Sequence, residues 1–191
     1  MRIFLREILE TLILALFIFL VLQFSVKNYR VQGNSMFPGF EPGQYLFVNA
    51  VAYSRFDVSN SGDFGEVFDT QLGEKYSFVF GPPSYGDLVV FESPVDQKNL
   101  IKRVIGLPGD TIEIKRGEVY LNGNFISEKY VKNRDTMFFD KIYILDDEIF
   151  VLGDNRISSY DSRFWGKLPV ENIIGKAWLR YWPPDSFGIV K

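Results

Sequence analysis

Lys102 stands in the run Leu100-Ile101-Lys102-Arg103-Val104-Ile105, whose β-strand character makes side chains alternate between two faces. Leu100, Lys102 and Val104 share one face, and Arg103 shares the other with Ile101 and Ile105. Both cations therefore sit among apolar neighbours. Burial disfavours an ammonium and lowers a lysine pKa by up to several units. A free lysine, pKa about 10.4, is neutral in only about one molecule in 2,500 at pH 7. Moving it down by about three units costs roughly 4 kcal/mol and yields a usable general base. The plainer reading is a lysine at a strand end whose stem covers apolar surface while its amine reaches water.

A base needs a nucleophile. Gly33-Asn34-Ser35-Met36-Phe37-Pro38-Gly39 sets a hydroxyl between turn-forming residues. Taken alone this is a turn, but it follows closely on a long apolar segment, so Ser35 would lie near a membrane surface. The third cluster is Gly153-Asp154-Asn155-Arg156-Ile157-Ser158-Ser159-Tyr160-Asp161-Ser162-Arg163. It reads either as a solvated turn with side-chain-to-backbone bonds or as a polar network that holds a buried charge in place.

The 191 residues include no His and no Cys. That removes Ser-His-Asp and Cys-His catalysis, cysteine-ligated zinc and any disulfide framework. Acid–base chemistry must then use carboxylates, Lys or Tyr. With a net charge of −3 and no block of Lys or Arg, nucleic acid is not expected as a partner. Nothing in the sequence calls for a metal or a cofactor.

The elements that must position these residues begin with residues 8–24, an apolar run that as a helix would span roughly 25 Å. A spanning anchor over residues 1–27 is the favoured reading. A cleavable secretory signal lacks its small-x-small site, since Gln23-Phe24-Ser25-Val26 is bulky; a buried helix of a soluble domain is the remaining alternative. Arg2 and Arg6 nearly balance Lys27 and Arg30, so charge does not fix the orientation. Residues 28–191 read as one β-rich domain. Strands are expected at 88–91, 100–105, 111–115, 118–121, 150–152 and 177–182. Turns fall at Gly86-Asp87, 106–110, Arg116-Gly117 and, as a type I′ hairpin signal, Asn122-Gly123. Residues 58–73 read as a polar surface loop. The expected fold is mainly β: an antiparallel β ectodomain on a single N-terminal transmembrane helix.

Taken in order, these segments resemble the boxes of bacterial type I signal peptidases. A membrane anchor precedes Ser35-Met36-Phe37-Pro38, then Gly86-Asp87-Leu88-Val89-Val90-Phe91, then Lys102-Arg103-Val104-Ile105-Gly106-Leu107-Pro108-Gly109-Asp110, then residues 153–163. Ile174-Gly175-Lys176-Ala177-Trp178 and Arg180-Tyr181-Trp182-Pro183-Pro184 are similar to the family's ending. The resemblance implies a Ser/Lys dyad in which Ser35 attacks the scissile carbonyl and Lys102 takes its proton. It implies that Ser159 hydrogen-bonds the Lys102 amine, that Asp161 pairs with Arg163 and Asp154 with Arg103, and that the Ser35 backbone N–H is an oxyanion donor. Some members carry a Ser two residues before the nucleophile as a second oxyanion donor; this chain has Gly33 there. The implied substrates are signal peptides of exported preproteins, cut after small residues at −1 and −3 and bound by strand addition. The implied location is the cytoplasmic membrane, in contact with its lipids, with the domain on the extracytoplasmic side.

Two other functions fit parts of the pattern. A self-cleaving Ser/Lys protease of the repressor type would carry a basic helix-turn-helix where this chain has an apolar run. A membrane-anchored β-domain that binds extended peptides without catalysis would share every box and differ only in activity.

Overall fold

The computed structural model describes residues 2–57 and 76–190; the polar loop expected at 58–73 lies outside them. The chain opens with α1 (Arg2–Ser25), then β1 (Val26–Arg30), β2 (Tyr45–Asn49), β3 (Arg55–Asp57) and β4 (Tyr76–Phe78). β5 (Leu88–Glu92) and β6 (Asn99–Gly106) follow, then β7 (Thr111–Lys115), β8 (Glu118–Leu121), β9 (Asn124–Phe125), β10 (Phe139–Tyr143) and β11 (Glu148–Leu152). A one-turn helix α2 (Ser162–Trp165) leads to β12 (Leu168–Pro169), the long β13 (Ile173–Trp182) and β14 (Gly188–Ile189).

Helix formation in α1 is favoured by the unbroken apolar stretch at residues 12–22, mostly Leu, Ile and Phe, with no Gly or Pro before Ser25. Residues 6–25 have mean hydropathy 2.3, and none of that stretch is buried against the rest of the chain. It is long and apolar enough to cross a membrane, and it is not a core helix of this domain. Leaving each such Leu or Phe in water would cost about 1.5–3 kcal/mol. Val26 and Lys27, grouped with the anchor in the sequence reading, are already the first residues of β1, paired with Asn49 and Val48.

The main sheet runs β1-β2-β13-β5-β6-β11-β12, with β14 added to β13, and all its pairings are antiparallel. A second sheet runs β10-β7-β8-β9. Its hairpins turn at Arg116-Gly117 and Asn122-Gly123, all four with positive φ. That is the type I′ geometry expected of a two-residue Asn-Gly turn.

Layering explains the unbroken apolar runs. Val89 and Phe91 face one core cluster with Val104, Ile149, Val151 and Leu168, whereas Leu88 and Val90 face another with Met36, Phe40, Leu46, Val48 and Ala177. Ile105, Phe150 and Leu152 turn instead to a third cluster, shared with Ile112, Ile114, Val119 and Ile144 of the second sheet. Strands covered on both faces need apolar residues at every position, so their sequences do not alternate. β6 and β11 thus hold the two sheets together, and β6 is the strand that carries Lys102.

Candidate active site

Lys102 is 2% exposed, with its same-face neighbours Leu100 and Val104 packed in the first core cluster. Its Nζ lies 2.7 Å from Ser35 Oγ and donates to the Ile101 carbonyl at 3.1 Å. Burial pulls the amine down from its ordinary 10.5 to about 8. The charges of Asp161 and Asp154 oppose that shift, and Arg163 assists it.

Ser35 sits on the turn that follows β1. Met36 and Phe40, both buried, root this turn in the second core cluster, and the Phe40 N–H donates to the Met36 carbonyl at 2.9 Å. From the other side Asn155 grips it twice: its backbone N–H donates to Ser35 O at 3.0 Å and its Nδ2 to Asn34 O at 3.1 Å. The Ser35 N–H makes no hydrogen bond among the described residues. Gly33 has φ +74°, and a Cβ there would meet nothing within 4 Å. That position therefore offers open space and no side-chain donor.

Two arginines brace the loop at 153–163. Arg103 donates to both Asp154 oxygens, Nε at 2.9 Å and Nη2 at 2.8 Å, and its Nη1 donates to Gly86 O. Burial opposes its charge, but the bond and charge of Asp154 outweigh this and hold its pKa above the ordinary value. Asp161, fully buried, accepts from Arg163 Nε at 2.7 Å and Nη2 at 2.8 Å, and from the Gly153 N–H at 3.0 Å. Arg163 also pairs with Asp135.

Ser159 does not do what the resemblance implies. Its Oγ is buried and makes no hydrogen bond among the described residues, and the Lys102 amine bonds Ser35 Oγ and its own strand's Ile101 carbonyl. The Ser159 hydroxyl packs against Gly153, and it is the Ser159 carbonyl that is used, accepting from Arg163 Nη2 at 3.3 Å. The lysine reaches the serine turn along a fixed strand direction, so a nearby main-chain oxygen takes the second donor site.

Sequence reasoning assigned no task to Gly153, Asn155, Glu128, Tyr130 or Asp135. For Gly153 and Asn155 the signal was present, since both lie in the dense polar run. A Cβ on Gly153 would stand 2.5 Å from Ser35 O and 2.6 Å from Ser159 Cβ. Gly153→Ala is therefore expected to cost about 1–3 kcal/mol by overpacking and to displace the serine turn. Chemical unfolding checks this; an unchanged denaturant midpoint would show that the contact relaxes freely. Glu128, Tyr130 and Asp135 had no local signal, because Glu128-Lys129-Tyr130 and Asn133-Arg134-Asp135 carry neither a motif nor an apolar pattern.

Ser35 and Lys102 open onto a cleft of about 600 Å³, walled by residues 28–32 on one side and 97–102 on the other, with Val31, Leu46, Val90 and Ile101 as its apolar lining. Chemically, a hydroxyl in contact with a buried amine of lowered pKa, beside an unused N–H and an apolar groove, suits nucleophilic attack on an extended peptide. Among the described residues, no group of three or more His, Cys, Asp or Glu is placed to hold a metal ion.

Comparison with known proteins gives one answer. The sequence model of the family "Signal peptidase, peptidase S26" matches residues 5–182. Signal peptidase I of Leptolyngbya laminosa is 41% identical over 131 residues, covering 64% of this chain and 64% of that protein. The probable signal peptidase I-1 of Synechocystis sp. is 35% identical over 194 residues, covering 97% of this chain and 86% of that one. Signal peptidase I of Bacillus caldolyticus is 34% identical over 178 residues, covering 86% and 84%. Matched through its apolar helix, all its strands up to β13 and each polar cluster described above, this chain belongs to the S26 family of signal peptidases.

Proposed function

We propose that this chain is a membrane-bound serine endopeptidase that removes N-terminal signal peptides from exported precursors, with Ser35 as nucleophile and Lys102 as general base. One observation carries the reading: a buried amine with its pKa lowered to about 8 lies 2.7 Å from a serine hydroxyl at the edge of an apolar cleft. Neutral Lys102 accepts the Ser35 Oγ proton as Oγ bonds to the scissile carbonyl carbon. The carbonyl oxygen takes up the displaced electron pair and meets the Ser35 N–H, a contact of the kind that contributes about 3–4 kcal/mol to a transition state. The Lys102 ammonium then protonates the departing amine as the C–N bond breaks, leaving the signal peptide as an ester on Ser35. Water, deprotonated by the same amine, hydrolyses the ester and restores Ser35.

Family membership supports the substrate class, and the groove supports an extended peptide with small side chains facing its shallow apolar lining. α1 is the anchor, and it holds the site beside a membrane-tethered substrate, raising effective concentration. The β domain then lies on the extracytoplasmic side of the cytoplasmic membrane, in contact with its lipids.

The test is cleavage of a detergent-solubilised precursor carrying a small-x-small site, followed across pH. The rate is expected to rise with pH through a midpoint near 8, because the amine is active only when neutral and its pKa is lowered to about that value. Ser35→Ala protein should give no product at any pH while keeping its circular dichroism. A peptide-binding domain without catalysis would bind the precursor and leave it intact; that outcome ends the proposal.

A further inference from the structure

Residues 128–135, between β9 and β10, contact three buried arginines. The Tyr130 ring lies 4.1 Å from the Arg103 guanidinium, Asp135 pairs with Arg163, and Glu128 Oε1 accepts from Arg156 Nη2 at 2.5 Å. The Glu128–Arg156 pair calls for an explanation. Both side chains are 2% exposed, and a buried ion pair adds little stability over apolar residues of the same volume. Glu128 Oε1 also takes the Tyr130 hydroxyl at 2.9 Å, whereas Oε2 is buried with no hydrogen bond among the described residues.

Arg156 shows what the pair holds. Its Nε donates to the Gly153 carbonyl at 3.0 Å, its backbone N–H donates to Asn133 O at 3.1 Å, and its carbonyl accepts from Arg163 Nη2 at 2.9 Å. A guanidinium is a rigid planar fork, so fixing Nη2 on Glu128 fixes where Nε meets Gly153. Gly153 packs on the Ser35 carbonyl, and Asn155, two residues on, grips the carbonyls of residues 34 and 35. We propose that Glu128 is a positioning residue for the nucleophile, acting through Arg156 and the 153–155 backbone to hold Ser35 Oγ on the Lys102 amine. The inference rests on the peptidase reading above and adds to it a residue remote from the dyad. Misplacing a reacting atom by an ångström can cost about 100-fold in rate, so a carboxylate outside the cleft has leverage on kcat.

The test is precursor cleavage by Glu128→Gln, Arg156→Lys and Arg156→Gln proteins and by the Glu128→Gln/Arg156→Gln double variant, each below its own melting temperature. Glu128→Gln should lower kcat about tenfold with KM within twofold of wild type. The pH midpoint should not move, since the charges acting on Lys102 are those of Asp161, Asp154 and Arg163. Arg156→Lys keeps a cation for Glu128 but loses the fork to Gly153, and its kcat should fall comparably. The double variant should lose no more than Arg156→Gln alone, the mark of two residues on one route. Wild-type kcat in folded Glu128→Gln or Arg156→Lys protein, or additive losses in the double variant, would overturn the inference and leave the dyad standing. A wild-type chain that cuts nothing would overturn both.

Discussion

Precursor cleavage by Lys102→Met protein is expected to fall by about 10³-fold or more, while the same protein unfolds at higher denaturant than wild type. The rate loss follows from removing the base; positioned general bases contribute about 10²–10⁴-fold, and here no His stands by to replace it. The stability gain follows from linkage. Lys102 has a folded pKa of about 8 against 10.5 for the free side chain, so the unfolded chain binds more protons between those values. The penalty is full below pH 8, about 3 kcal/mol at the conversion of 1.36 kcal/mol per pKa unit, and it disappears as pH rises past 10.5. Methionine fills the same space without charge. Less about 1 kcal/mol for lost hydrogen bonding, the variant should be about 2 kcal/mol more stable at pH 7. That advantage should vanish by pH 10.5. Equal stability of the two proteins across this range would mean that the amine is not held at a cost, and retained cleavage would remove it from the mechanism.

Asp161→Asn should act in the opposite sense on stability and in a specific sense on pH. Asp161 is fully buried and accepts from Arg163 and from the Gly153 N–H. Losing its charge leaves the buried Arg163 guanidinium with Asp135 and the carbonyls of residues 156 and 159. With Asp135 still paired to Arg163, the loss is that of a charge-assisted hydrogen-bonded contact, about 1.5–3 kcal/mol. Asp161 is also the larger of the two anionic influences that hold the Lys102 pKa up. Without it the ammonium is less favoured, so the midpoint of the pH–rate profile should move below 8. A midpoint that stays in place or moves up would show that Asp161 serves the fold alone. The paired measurement separates a scaffold carboxylate from one that also tunes the base.

These two residues mark how far local sequence reaches. Strand alternation put Leu100 and Val104 on the face of Lys102 and left two readings, a desolvated amine or a stem reaching water; the folded structure, with Lys102 2% exposed, decides for the first. Its lowered pKa follows in direction too. Ser159 shows the limit. The resemblance implied a hydrogen bond from Ser159 to Lys102, yet no periodicity says that the amine would take the Ile101 carbonyl and leave the hydroxyl over Gly153. Hydrogen-bond choice among several nearby acceptors depends on angles fixed by packing, and those belong to the whole molecule.

Residues that work through local rules could be read directly: the apolar length of α1, the Asn122-Gly123 turn, the strand runs of β5, β6 and β11, and the absence of imidazole that leaves carboxylates, Lys and Tyr for acid–base work. Short elements such as β1, β12 and β14 were not legible, because they carry no apolar run or alternation of their own and are strands only by pairing with an adjacent strand. The approach of Ser35 to Lys102 is of the same kind. It joins positions 35 and 102 across a sheet whose order interleaves β13 between β2 and β5. Likewise Glu128, buried, and Asp135, half-buried, became partners of Arg156 and Arg163 only when the segment between β9 and β10 met the 153–163 loop. Chain chemistry determined which groups were available; the energy of closing long loops onto one core decided which of them touch.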